Sequence, residues 1–141
     1  MGRPRIYNSA ETTDFMKLEA PYYNAIETTE VTFENEKVIV FMDLSPNSNG
    51  HMLVVPKKHY KDINDIDLDT LTHIQKIVKE LYPKYKEKLN CDGVTLCQNN
   101  DYGQEVKHYH LHIIPRYEND GIEIISKLEK IDLKEIFKKL K

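Results

Sequence analysis

The chain has 141 residues, enough for one domain with a single hydrophobic core. Its net charge is −3 and its pI is near 6.1, so it offers no broad cationic surface for a nucleic-acid backbone. No apolar stretch is long enough to span a bilayer, and the first residues lack the apolar segment of a secretory signal. Two cysteines without zinc-type spacing fit a reducing compartment. We therefore expect a cytoplasmic, single-domain protein without nucleic-acid or membrane partners.

The first half of the chain predicts an arm, three strands and a long helix. Residues 1–15 are polar and show no hydrophobic period, which predicts a loose arm. Apolar runs on either side of "SPNSNG" (residues 45–50) predict buried strands joined by a loop. Residues 68–89 predict a helix, and Gly93 is expected to end it in a left-handed conformation. The apolar stripe of this helix consists of Leu71, Ile74, Val78, Leu81 and Tyr85.

The second half predicts two more strands and a short helix. "VTLCQN" and "VKHYHLHII" alternate as strands do, and Pro115 is expected to mark the end of regular pairing. Residues 122–141 predict a C-terminal helical segment behind Asp132 as N-cap. The whole chain, 1–141, is thus expected to form one α+β domain whose antiparallel sheet has about five strands.

The motif "HYHLHII" (residues 108–114) is the strongest functional signal. On a strand, His108, His110 and His112 would share one face at spacings of roughly 6.6–6.8 Å, while Tyr109 and the other intervening residues would face the core. Such a row of imidazoles could bind a catalytic metal ion or carry out phosphate chemistry as nucleophile, donor and acid. It could also be a polar exterior face of a half-exposed strand.

Together with the segments "VIVFMDLSPNSNGHMLVVPKKHY" and "GQEVKHYHLHIIPRY", this motif resembles the histidine-triad (HIT) superfamily of nucleotide hydrolases and transferases, in particular its bacterial Hit branch. The resemblance covers about residues 25–120. It implies an α+β fold whose homodimer joins two sheets into one. For this chain it also suggests a dimer contact through the helix that carries Leu71, Ile74 and Val78 and through the edge of the first sheet.

The resemblance also implies roles for individual residues. His110 would attack the α-phosphate of a purine nucleotide, His112 would stabilise the phosphate oxygens, and His108 and His51 would complete the catalytic set. Asp43 would accept hydrogen bonds from the ribose hydroxyls. The other expected substrate-binding residues are Leu44, Asn99 and Gln104, although Gln104 could instead brace its turn, and Asn100 could replace Asn99.

Two departures from the family pattern matter. Residues 1–30 contain no cysteine, whereas many bacterial members carry an N-terminal Cys-x-x-Cys that binds zinc with two histidines, so we predict no metal and no cofactor. The residue after Gly-Gln is usually Ser or Thr but is Glu105 here. A carboxylate beside a bound phosphate would repel it, so Glu105 is expected either to point away or to serve the leaving group.

The expected activity is hydrolysis at the α-phosphate of a nucleoside phosphoramidate or a dinucleoside polyphosphate, through a covalent nucleotidyl-histidine. His112 favours a hydrolase, because the transferase branch carries Gln at that position. The alternative is a nucleotide-binding sensor or interaction module with little turnover.

Overall fold

The computed structural model describes residues 31–123 and 132–141, which form a five-stranded sheet and two helices. The predicted arm over residues 1–15 lies outside the described residues. The strands are β1 (Val31–Glu34), β2 (Val38–Met42), β3 (Met52–Pro56), β4 (Gly93–Cys97) and β5 (Leu111–Arg116), and the helices are α1 (Leu68–Leu89) and α2 (Leu133–Leu140).

All neighbouring strands are antiparallel, in the order β1-β2-β3-β5-β4. The β1–β2 turn is fixed by Asn35, whose side-chain Oδ1 accepts the N–H groups of Lys37 and Val38 at 2.9 Å. Because α1 connects β3 to β4, the last strand, β5, inserts between them and leaves β4 at the edge. The predicted α+β class with an antiparallel sheet is confirmed.

The core lies between α1 and one face of the sheet. Ile74 is fully buried, and Ile77, Val78, Leu81 and Tyr85 are nearly so. Their sheet partners in the same cluster are Val38, Val40, Met52, Val54, Leu111 and Ile113. Removing a buried side chain of this size, as in Ile74→Ala, typically costs about 2–5 kcal/mol. This packing therefore holds β3, which His51 directly precedes, and β5, on which His112 lies.

The C-terminal end of α1 lies where the sequence predicted it, but a different residue adopts the left-handed conformation that ends the helix. Asn90, not Gly93, adopts the left-handed conformation, with φ 54° and ψ 38°, and Gly93 is already the first residue of β4. An asparagine tolerates this conformation because its short polar side chain can bond locally. The expectation for Gly93 was therefore wrong.

The histidine strand begins later than predicted. β5 starts at Leu111, whose strand partner on β3 is Val54, whereas the Tyr109 N–H donates to the Tyr60 carbonyl at 2.7 Å and draws the preceding residues out of the sheet. At the other end, Pro115 lies within β5 opposite Val94, so the expected end of pairing at Pro115 was also wrong. The inward burial of Tyr109, Leu111 and Ile113 is confirmed.

The C-terminal helix α2 has the predicted cap, because the Asp132 side chain accepts the Glu135 N–H at 3.2 Å. Residues 124–131 of the predicted C-terminal segment lie outside the described residues. Within the two described ranges, neither helix is long and apolar enough to cross a membrane.

Candidate active site

The loop between β2 and β3 places Asp43 beside His51. The Asp43 N–H donates to the His51 carbonyl at 3.0 Å, which extends the hairpin by one step beyond Met42 and Met52. Asp43 Oδ1 accepts the Ser45 N–H at 2.8 Å. This contact fixes the carboxylate, and its other oxygen, Oδ2, lies 3.5 Å from His51 Nε2.

Strand β5 places His112 next to Asp43 and His51. His112 is paired with Leu53 on β3 and Cys97 on β4, so it sits on an interior strand directly beside the end of the β2–β3 hairpin. His112 Nδ1 lies 2.9 Å from His51 Nε2 and 4.0 Å from Asp43 Oδ2. Residues 61 positions apart in the chain therefore share one hydrogen bond.

The donors and acceptors around these two rings fix their tautomers. A backbone N–H can only donate, so the Asn47 N–H, 3.0 Å from His51 Nδ1, requires a lone pair on that nitrogen. In a neutral ring the proton is then on His51 Nε2, which donates to His112 Nδ1. The proton of His112 is consequently on Nε2, available as a hydrogen-bond donor.

In His110 the proton is on Nδ1, the other ring nitrogen from the one that carries it in His51 and His112. Its Nδ1 lies 2.8 Å from the His108 carbonyl oxygen, which can only accept, so Nδ1 carries the proton. His110 Nε2 therefore holds a lone pair. The rings of His110 and His112 are 4.9 Å apart between centroids, which places a nucleophilic nitrogen and an N–H donor next to each other.

Burial keeps these rings neutral. It lowers the pKa of His51 and of His110, in both cases against an opposing attraction from Asp43. It also lowers the pKa of His112 to about 4, with further contributions from His110 and His51. At neutral pH all three are therefore neutral imidazoles, each with one N–H and one nitrogen lone pair.

His108 lies behind the cavity, and its backbone carbonyl is the group that orients His110. Its side chain is fully buried, its Nε2–H donates to the Pro56 carbonyl at 2.8 Å, and burial lowers its pKa to about 4. Its Nδ1 lies 3.1 Å from His59 Nδ1. Sequence reasoning did not identify this contact, because only the tertiary fold brings His59 and His108 together.

Of the remaining predicted substrate-binding residues, Leu44 and Asn99 line the cavity, whereas Gln104 does not. The cavity has a volume of about 520 Å³ and is lined by Asp43, Leu44, Ser45, Asn47, His51, Leu53, Asn99, Gly103, Glu105, Val106, His110 and His112. Asn99 thus lies in the cavity, whereas the side-chain Oδ1 of Asn100 accepts the Ile63 N–H at 2.8 Å and braces a neighbouring loop.

The structure does not place Gln104 in the cavity. Its side chain is buried, its Nε2 donates to the Lys61 carbonyl at 2.6 Å, and its Oε1 accepts the Asp101 N–H at 3.3 Å. Both ends of the amide are therefore used to hold the loop. These contacts give Gln104 the bracing role that the sequence left open, and its contact with substrate stays a prediction.

Asp43, His51 and His112 have ligand atoms within 4.8 Å of one another, a spacing that could suit a metal ion. The hydrogen-bond pattern disfavours this use. A neutral imidazole that ligates through His51 Nε2 must carry its proton on Nδ1, but there it would oppose the Asn47 N–H. The three residues are better suited to orient the donor on His112.

One cavity beside the antiparallel sheet thus contains a neutral imidazole with a lone pair on Nε2, a second imidazole with an N–H donor and a carboxylate. These groups define a candidate phosphoryl-transfer site. The family model of the HIT domain matches residues 25–119, and the chain belongs to this family. A HIT-like protein of Methanocaldococcus jannaschii is 43% identical over 79% of this chain and 88% of its own length.

Two further comparisons bear on fold and activity. The chain is similar to a bis(5'-adenosyl)-triphosphatase of Dictyostelium discoideum, at 31% identity over 74% of each chain. A solved HIT family structure from Bacillus anthracis superposes with a TM-score of 0.70 at 34% identity, covering 79% of this chain and 83% of that one.

Proposed function

We propose that this chain is a nucleotide hydrolase that acts through a covalent nucleotidyl-histidine. The observation that carries the proposal is the fixed tautomer of His110, whose Nε2 lone pair belongs to a ring lining a cavity shared with His112. A nucleotide-binding sensor would not require an unprotonated nucleophile beside a preoriented donor.

In the first step, His110 Nε2 attacks the α-phosphorus and the bond to the leaving group breaks, with its electron pair remaining on the leaving atom. The His112 Nε2–H donates to a phosphate oxygen as charge builds there. The His108 carbonyl stabilises the positive charge that the His110 ring gains on forming the P–N bond. In the second step, water attacks phosphorus and loses a proton to solvent, and the P–N bond breaks with its electron pair returning to His110 Nε2. A nucleoside monophosphate is released.

We propose that Asp43 receives the ribose hydroxyls of a purine nucleotide, since a carboxylate can accept two donors at once. Leu44 lines the same end of the cavity and is 53% exposed in the unliganded chain, so it offers apolar contact to a base. Asn99, on the opposite loop, can donate to the ribose or phosphate.

The substrate is proposed to be a nucleoside phosphoramidate or a dinucleoside polyphosphate. The relative named for triphosphatase activity supports the second class. In line with the free thiols of Cys91 and Cys97, we propose that the reaction takes place in the cytoplasm.

The test is AMP release from adenosine phosphoramidate and from diadenosine tetraphosphate, measured with EDTA present for the wild type and His110→Ala. We expect release that EDTA does not affect and that His110→Ala abolishes while AMP binding persists. His73→Ala is the matched control, because His73 lies on α1 and its Nε2 contacts Asn35, away from the cavity. AMP binding without release from either compound would instead indicate the sensor, and loss of activity with EDTA would indicate a metal hydrolase.

We also propose a homodimer in which the helix that the sequence suggested, α1, makes the contact together with the sheet edge at β4. Ile74 and Val78 pack in the core of their own chain, so we expect other residues of α1 to make most of this contact. The edge strand β4 and the C-terminal half of α1 flank an apolar groove that exposes Tyr82 and Leu96, at 45% and 43%. A second copy pairing its own β4 there would extend the sheet, as the family resemblance implies.

A further inference from the structure

The cavity around His110 is lined by two carboxylates and, within the described parts of the chain, by no lysine or arginine. Asp43 lies on the β2–β3 loop, beside His51 and His112. Glu105 lies on the loop that precedes β5, on a separate wall of the cavity. This is an unusual charge pattern for a site that must accept a phosphate, because nothing in that lining is positively charged when the histidines are neutral.

Glu105 has no ion-pair partner among residues 31–123 and 132–141, and its side chain is exposed. The two lysines of the surrounding loops are engaged elsewhere. Lys107 Nζ donates to the Gln104 carbonyl at 2.9 Å, and Lys61 Nζ pairs with Asp101 at 3.0 Å. The negative charge of Glu105 therefore acts on whatever occupies the cavity.

Building on the function proposed above, we infer that Glu105 is a specificity-determining residue that selects nucleoside phosphoramidates, above all those with a cationic amine, over dinucleoside polyphosphates. The two substrate classes develop opposite charge on the leaving group. A carboxylate in the cavity therefore stabilises the transition state of the phosphoramidate and destabilises that of the polyphosphate.

For a phosphoramidate, the bridging nitrogen takes a proton from solvent before it leaves, which places positive charge on the leaving atom. His110 Nε2 then bonds to phosphorus, the P–N bond to the leaving group breaks, and the electron pair stays on the nitrogen, which departs as an amine. For a polyphosphate, the P–O bond breaks and the bridging oxygen gains negative charge, next to further phosphates that are already anionic. Glu105 stabilises the first transition state and opposes the second.

The experiment compares kcat/KM for three adenylyl compounds with EDTA present: the phosphoramidate of singly protonated ethylenediamine, the phosphoramidate of propylamine, and diadenosine tetraphosphate. Each is measured with the wild type, Glu105→Gln and the control Glu118→Gln. Glu118 is also an exposed carboxylate, but it lies after β5 and outside the cavity lining, so its replacement makes the same change in net charge elsewhere.

We expect Glu105→Gln to shift the preference for the cationic phosphoramidate over the tetraphosphate by about tenfold or more towards the tetraphosphate. The value for the propylamine compound should change least, and Glu118→Gln should change no ratio. If the wild type releases AMP but the ratio stays the same in Glu105→Gln, the selectivity inference is wrong and the proposed hydrolase stands. If the wild type releases AMP from none of the three, both are wrong.

Discussion

Replacing His108 with glutamine should weaken the dependence of folding stability on pH. The His108 side chain is fully buried, donates to the Pro56 carbonyl and lies 3.1 Å from His59, and burial lowers its pKa to about 4. A glutamine amide also has a donor and an acceptor but does not titrate. The variant therefore removes one titrating group and keeps the polar character of the site.

The magnitude follows from the difference in proton binding between the two states. Above about pH 6.5, His108 is neutral in both the folded and the unfolded chain and contributes no pH dependence. Below that value the unfolded chain binds a proton here and the folded chain does not, so the free energy of unfolding falls as pH falls, until the folded residue also protonates near a pKa of about 4. The limiting slope is about 1.4 kcal/mol per pH unit, and the loss between pH 7 and pH 5 is about 2 kcal/mol.

The assay is urea unfolding followed by circular dichroism at pH 7 and pH 5, for the wild type, His108→Gln and the control His73→Gln. The other buried histidines of the site lower stability in acid as well, so the informative quantity is the difference between each variant and the wild type. We expect His108→Gln to lose about 2 kcal/mol less than the wild type over this range, whatever its stability at pH 7. An equal loss in both proteins would refute a buried, neutral His108.

Three further predictions concern the site and the assembly. His51→Ala should lower kcat for adenosine phosphoramidate by about 10²-fold with little change in KM, because His112 would lose the hydrogen bond that keeps its proton on Nε2; a change confined to KM would contradict this role. AMP release should fall in acid with a midpoint below the ordinary histidine pKa of about 6.5, because burial lowers the pKa of His110; a pH–rate profile with its midpoint at or above that value would argue against it. Leu96→Glu should convert the dimer to a monomer in sedimentation velocity, since it places a charge in the apolar groove beside β4; a dimer that persists in the variant would exclude this interface.

The sequence correctly predicted those helices and strands in which the apolar pattern of the sequence coincides with the face that is buried in the structure. Helix α1 was predicted over residues 68–89, the range that the structure shows, because its apolar stripe faces the sheet along its whole length. The position of His112 on a strand followed from the same kind of pattern. Local periodicity sufficed in both cases, because tertiary contacts did not override it.

Other features depended on contacts between distant residues. The alternation of Tyr109 and Leu111 predicted their burial correctly, but the start of β5 is set by where β3 can pair, and the Tyr60 carbonyl takes the Tyr109 N–H instead. The contact between His59 and His108 joins residues 49 positions apart, and no residue spacing in the sequence predicts it. For Gln104, motif position suggested a ligand contact, whereas the fold uses its amide to hold two loops together.

The two groups that fix the tautomers of the site are both backbone groups, the N–H of Asn47 and the carbonyl of His108. The Asn47 N–H requires a lone pair on His51 Nδ1, and the resulting proton on His51 Nε2 in turn leaves the proton of His112 on Nε2. The His108 carbonyl requires the proton of His110 on Nδ1, which leaves the lone pair on Nε2. The proposed roles of nucleophile and donor therefore depend on how the β2–β3 loop and the segment before β5 are folded, and the side chains at positions 47 and 108 do not themselves make these two contacts. Three histidines of the same chemical type, His51, His110 and His112, thus differ in tautomer because the backbone presents a donor to one of them and an acceptor to another.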